Sequence, residues 1–100
     1  ALPILDDKAA ALLTDDARDL LARIATVLRP LSDWTVGELE ASLKQAAADW
    51  GLGLGKLAQP LRAALTGQTT SPGIFDVLDL LGRDESLARI AAQAVPAEHA

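Results

Sequence analysis

The side chains most able to do chemistry in this sequence are three acidic pairs, Asp6-Asp7, Asp15-Asp16 and Asp84-Glu85, and a donor-rich stretch from Lys56 to Phe75. Paired carboxylates can share general acid and base work. Each of these pairs, however, stands where a helix is expected to begin, and the helix dipole stabilises negative charge there. Capping is the stronger reading of them. The Lys56–Phe75 stretch differs, because Lys56, Arg62, Gln68, Thr69, Thr70 and Ser71 gather around two helix ends and a polar loop. The planar fork of Arg62 can hydrogen-bond a base edge or a phosphate, or stack on a base. Unpaired N–H groups around Pro72, Gly73 and Ile74 would add donors. The same residues admit a structural reading, in which Arg62 is a solvated helix residue and Ser71 to Phe75 form an efficient helix start, with Ile74 and Phe75 in the core. Lys56 is a candidate phosphate contact of lower rank than Arg62, since a lysine beside a glycine-rich turn is usually just solvated.

Other chemistries are excluded by composition. With no Cys there is neither a disulfide framework nor a thiolate nucleophile, and His99 is the single histidine, so a His-rich metal site is excluded. No phosphate-binding loop, dinucleotide fingerprint, nucleophile elbow or metal-ligand pair at i, i+4 is present. The glycine-rich Gly51-Leu52-Gly53-Leu54-Gly55 run follows a helical pattern rather than a strand. No catalytic residue, cofactor site or metal site is therefore expected in these residues. The net charge of −5 has the wrong sign for a generic nucleic-acid binder, so any RNA site must be local.

The elements that must position the donor-rich stretch can be read from punctuation and period. Asp6 and Asp7 precede a short first helix, Lys8-Ala9-Ala10-Ala11-Leu12-Leu13. Thr14 caps a second, on which Leu20, Leu21, Ile24, Val27 and Leu28 recur at helical spacing until Pro30. A third has Thr35 at the N-cap and Glu38 at N3, a capping box, with Leu39, Leu43, Ala46, Ala47 and Trp50 on one face before Gly51. After the glycine-rich turn or hinge, a fourth runs from Lys56 to Leu65, with Pro60 near its first turn or at a kink and Gly67 as its C′ residue. Ser71 and Pro72 are expected as N-cap and first residue of the next helix, which ends at Gly82. Asp84 would cap a last one before Val95-Pro96 and a frayed polar tail.

Together these predict an all-α domain of five to six helices with short connections. The Ala- and Leu-rich composition, with few β-branched or aromatic side chains, points the same way. Residues 1–50 form a helical segment leading into a core at 51–100, the two making one folded unit. No apolar run approaches the roughly 20 residues needed to span a bilayer, and the N-terminal residues lack a basic leader pattern, so a soluble cytoplasmic protein is expected.

Residues 51–90, with the Pro60-Leu61-Arg62-Ala63-Ala64-Leu65-Thr66-Gly67 segment, a polar loop and then Ser71-Pro72-Gly73-Ile74-Phe75-Asp76-Val77-Leu78-Asp79-Leu80-Leu81-Gly82, closely resemble the C-terminal signature of bacterial glutamyl-tRNA synthetases. Residues 33–52 resemble the helix preceding that signature, and residues 5–24 fit more loosely. The resemblance implies the anticodon-binding helical part of a class I synthetase, an enzyme that uses ATP and Mg to ligate glutamate to tRNA. It also implies a catalytic domain in the same polypeptide, whose ATP-site signatures these residues do not carry, so the chain is expected to be a fragment or an excised domain that does not aminoacylate alone. In that family the matching arginine and the loop-helix junction approach the first and middle anticodon bases. By position these are Arg62, Ser71, Pro72, Ile74 and Phe75. Threonine is frequent in the family where this chain has Ser71, and leucine where it has Ile74, so hydroxyl and apolar surface are retained. Bases would lie against Pro72 and Ile74, with Phe75 beneath. The implied partner is glutamate tRNA, with glutamine tRNA left open. The rival expectation is a stand-alone helical interaction or structural module derived from the same domain.

Overall fold

The computed structural model describes residues 2–94, and every regular element among them is a helix. The elements are α1 (Asp7–Leu12), α2 (Asp15–Leu28), α3 (Val36–Asp49), α4 (Leu54–Thr66) and α5 (Ile74–Gln93). The starts of α1, α2 and α3 follow the expected capping chemistry. The Asp6 carboxylate accepts from the Ala9 N–H at 2.7 Å, the Thr14 hydroxyl from Ala17 at 3.2 Å and the Thr35 hydroxyl from Glu38 at 3.3 Å. Each bond satisfies a donor that the first helical turn leaves without an internal partner. Asp7, Asp15 and Asp16 lie in first turns, where the dipole favours them.

Helix α4 is the centre of the domain. It packs against α1, α2, α3 and α5, and buries Leu57, Pro60, Leu61, Ala63, Ala64 and Leu65. Leu21, Ile24 and Leu28 from α2, Leu39 and Leu43 from α3, and Leu78 and Ile90 from α5 close around it. The small alanines of α4 allow helices on several sides to approach one axis, and the leucines fill the space between them. The helix begins at Leu54, earlier than the expected Lys56, so Gly55 lies inside it and Pro60 is well past the first turn. The proline neither starts nor ends the helix. Its missing N–H would have reached the Lys56 carbonyl, and Lys56 is exposed to water.

The start of α5 corrects the sequence reading. Ser71 is not its N-cap and Pro72 not its first residue, because Gly73 is the N-cap and the helix begins at Ile74. The Ser71 hydroxyl bonds Arg62 and the Pro72 carbonyl instead of a backbone N–H of the first turn. Gly82 interrupts α5 with φ 81° and ψ 169°, a backbone conformation open essentially to glycine alone. The separation of two helices at Gly82 is therefore real, though without a loop between them. Asp84 is exposed, and no hydrogen bond of its carboxylate is found among the described residues, so the cap assigned to it is not formed. The tail from Val95, with His99, lies outside the described residues.

Arginines hold the helices in register through main-chain carbonyls. Arg18 donates from Nε to Leu13 and from Nη1 to the Gln93 carbonyl at 3.0 Å, tying the α1–α2 junction to the end of α5. Arg83 donates to the carbonyls of Arg29 and Leu31 and lies 5.1 Å from the Trp34 ring centroid, while Trp34 Nε1 donates to the Leu78 carbonyl at 2.8 Å. The α2–α3 loop is thereby fastened to the break at Gly82. Arg83→Ala is expected to cost about 1–2 kcal/mol in urea unfolding, from two lost carbonyl bonds and one ring contact that is partly solvated.

Arg89 donates to the Leu65 carbonyl and, at 2.6 Å, to Glu85. That bond holds the Glu85 carboxyl below its ordinary pKa. A lowered folded-state value means that the contribution is present above the unfolded pKa and lost as pH falls through the folded one. Glu85→Gln should therefore be slightly less stable than the parent chain at pH 7, the gap closing in thermal melts recorded well below the usual glutamate range.

Candidate nucleic-acid interface

The loop that follows α4 is closed onto a single turn of that helix. Gly67 ends the helix in the left-handed region at φ 75°, and its N–H donates to the Ala63 carbonyl at 2.9 Å. The Thr66 hydroxyl donates to the Arg62 carbonyl at 2.8 Å and accepts from the Gln68 N–H at 3.1 Å. On the far side of the loop, Arg62 Nε donates to the Ser71 hydroxyl at 2.8 Å, and that hydroxyl donates to the Pro72 carbonyl, also at 2.8 Å. The chain then enters α5 at Gly73, with no side chain capping its first turn. The outer face of this junction thus presents the Arg62 guanidinium, the exposed ring of Pro72 and backbone N–H groups that have no helical acceptor.

Of the residues singled out in the sequence, the fold brings Arg62, Ser71 and Pro72 together directly. Ile74 and Phe75 complete the junction from within. Ile74 is 6% exposed and belongs to the core, whereas Phe75 is half-buried against it. The order expected from the sequence is reversed here: Ile74 anchors the junction from beneath, and Phe75 keeps the more accessible surface. Alternation around the first turn of a helix explains this, because consecutive residues are about 100° apart and only one can point straight at the core.

Lys56 stands elsewhere. It is six positions before Arg62 on α4, about 9 Å along the axis and roughly a third of a turn away. It lines a cleft of ≈ 480 Å³ between α2 and α4 with Asp16, Asp19, Arg23, Gln59 and Pro60 among its neighbours. Carboxylates in that cleft make it a poor phosphate site. The other cations are mostly committed: Arg18, Arg83 and Arg89 to carbonyls, Arg23 to Asp19 and the face of Trp50, and Lys44 to Glu40. Arg62 differs from the carbonyl-bound arginines in that its bond is to a loop hydroxyl through Nε, and its Nη donors have no partner among the described residues.

The roles of Arg18, Arg83, Arg89 and Thr66 are not legible in the sequence. Their partners are carbonyls brought near by tertiary packing, and no local pattern marks them. Among the described residues no cluster of His, Cys, Asp or Glu is placed to hold a metal ion, and no helix is long and apolar enough to cross a membrane.

The family described as "Anticodon binding domain" matches residues 2–94. Glutamate–tRNA ligase 2 of Novosphingobium aromaticivorans is 67% identical over 88 residues, which are 88% of this chain and 18% of that protein. Glutamate–tRNA ligase 1 of Erythrobacter litoralis is 61% identical over 94 residues, covering 94% of this chain and 20% of its own length. The crystal structure of a glutamate tRNA ligase from Elizabethkingia meningosepticum in complex with its amino acid superposes with a TM-score of 0.83 at 26% identity, over 90% of this chain and 18% of that one. The chain spans about a fifth of the length of these relatives. With an all-helical fold that superposes on a glutamate tRNA ligase and a family match over residues 2–94, the chain belongs to the anticodon-binding domain family, of the type found in glutamate–tRNA ligases.

Proposed function

We propose that this chain reads the first and middle anticodon bases of glutamate tRNA through the junction of Arg62, Ser71, Pro72, Ile74 and Phe75. The observation that carries the reading is the Arg62 guanidinium, bound to the loop by Nε alone beside an exposed proline and an uncapped helix start. Unstacked bases find an apolar plane at Pro72 and the accessible part of Phe75, with Ile74 holding that plane from below. The Nη donors of Arg62 and the N–H groups of the α5 first turn take the acceptor atoms of the base edges.

The acidic balance fits a selectivity role. Phosphate neutralisation supplies most non-specific affinity, and a chain of net charge −5 supplies little of it. In this reading the bulk of tRNA affinity, together with glutamate activation using ATP and Mg, belongs to a catalytic part of a larger cytoplasmic ligase. Acceptance of glutamine tRNA would turn on a third anticodon base read outside this junction.

A fluorescently labelled stem-loop carrying a glutamate anticodon, titrated at low salt, tests the proposal by anisotropy. Weak binding that falls when the first two anticodon bases are exchanged is the expected outcome. Equal binding of both loops would reduce the domain to a non-specific or purely structural module.

A further inference from the structure

The Ser71 hydroxyl has one proton to give and two lone pairs to offer. Its proton goes to the Pro72 carbonyl at 2.8 Å, and one lone pair takes the Arg62 Nε–H at 2.8 Å. While both bonds hold, Ser71 has no donor left for an RNA group. The carbonyl that orients it belongs to the next residue, so the hydroxyl direction is fixed locally. Arg62 is restrained from the other end as well, since its own carbonyl accepts from Thr66, which also receives the Gln68 N–H. The loop from Gln68 to Ser71 is thus tied at one end to Thr66 and at the other to Arg62, one turn apart on α4.

On this geometry we infer that Ser71 is a positioning residue, whose hydroxyl, oriented by the Pro72 carbonyl, fixes the plane of the Arg62 guanidinium so that its Nη donors face the RNA. The inference rests on the anticodon reading proposed above. A guanidinium already held in plane loses less freedom on binding than a free one, so the gain appears as affinity without any new contact to the RNA. A threonine offers the same hydroxyl and should serve equally; an alanine leaves Arg62 free to turn.

The test is a double-mutant cycle with the stem-loop above, on chains shown by circular dichroism to be folded. Ser71→Ala should weaken binding about three- to tenfold when Arg62 is present, as loss of one hydrogen bond's worth of ordering would. In the Arg62→Ala background the same change should matter by less than about twofold, because the two groups act as one unit. Ser71→Thr should bind like the parent chain. Equal losses in both backgrounds would mean that the hydroxyl touches RNA by itself and would overturn the inference. Exchange of the Arg62 Nε–H with solvent, followed by NMR on the free protein, supplies a readout that needs no RNA: it should quicken in Ser71→Ala. An unchanged rate overturns the positioning role whatever the RNA does. By contrast, Arg62→Ala without effect on either loop would remove the anticodon reading, and the two failures are distinguishable.

Discussion

Gly67→Ala is expected to destabilise the domain by about 2–4 kcal/mol, the sum of left-handed backbone strain, a steric clash and a lost hydrogen bond. The backbone at Gly67 sits at φ 75°, where a side chain is disfavoured. A Cβ there would stand 2.2 Å from the Ile4 carbonyl oxygen and 3.3 Å from the Pro3 Cβ. The obstacle is backbone, which cannot rotate away as a long side chain would. Relief requires the segment before α1 to lift off, breaking the bond from the Asp6 N–H to the Gly67 carbonyl at 2.8 Å. Gly51 provides the control. It has φ 68° but nothing within 4 Å of a built Cβ, so Gly51→Ala should show only the strain, about 1 kcal/mol. Urea unfolding of the two variants side by side checks the difference. If they lose equal stability, the segment from Pro3 to Asp6 does not pack against the end of α4 as described.

Arg62→Ala should cost about ten- to a hundredfold in affinity for the glutamate stem-loop, the range for losing a charged hydrogen-bond donor at a desolvated contact. Stability should change far less, because Arg62 is only half-buried and its side chain bonds the surface hydroxyl of Ser71. Arg62→Lys is not a conservative rescue here: an ammonium keeps the charge but lacks the planar fork and cannot bond Ser71 while presenting paired donors. Lys56→Ala offers the opposite pattern. Lys56 lies in the cleft with Asp16 and Asp19, so its loss should alter affinity little. A large loss from Lys56→Ala with none from Arg62→Ala would move the interface to that cleft.

Helix existence and most helix starts were legible in the sequence because capping residues act locally. Asp6, Thr14 and Thr35 each bond an N–H three residues ahead, and their reach does not depend on the rest of the fold. Gly67 was legible for a similar reason, since a left-handed helix end selects glycine. Ser71 was misread because its hydroxyl had two competing uses. The local pattern of serine and proline suggests a cap, but α5 starts only at Ile74 with Gly73 as its N-cap, and tertiary closure of the loop brings Arg62 within 2.8 Å as the hydroxyl's donor. The two extra helical residues, Leu54 and Gly55, are not legible in the sequence because of the glycines around them, and packing of Leu57 and Leu61 on the core outweighs that weak helix propensity.

Within the candidate site, the residue set could be proposed from the resemblance, but its layering could not. Which of Ile74 and Phe75 faces inward depends on the start of α5, and the shift of that start to Ile74 sets the answer. The arginines told a related lesson. Arg18, Arg83 and Arg89 carry the same charge as Arg62, yet each is occupied by carbonyls from distant parts of the chain. Partner geometry, available only in the fold, separates the arginines that hold the domain together from Arg62, bonded through Nε alone to a loop hydroxyl.

The most direct measurement is a titration of the isotope-labelled chain with the glutamate anticodon stem-loop, followed by NMR at low salt beside a loop with its first two anticodon bases exchanged. The expected shifts are confined to Arg62 and to residues 71–75 and clearly reduced with the exchanged loop, while signals from Lys56 and the α2–α4 cleft stay in place. Shifts centred on that cleft, or equal shifts from both loops, would contradict the anticodon reading.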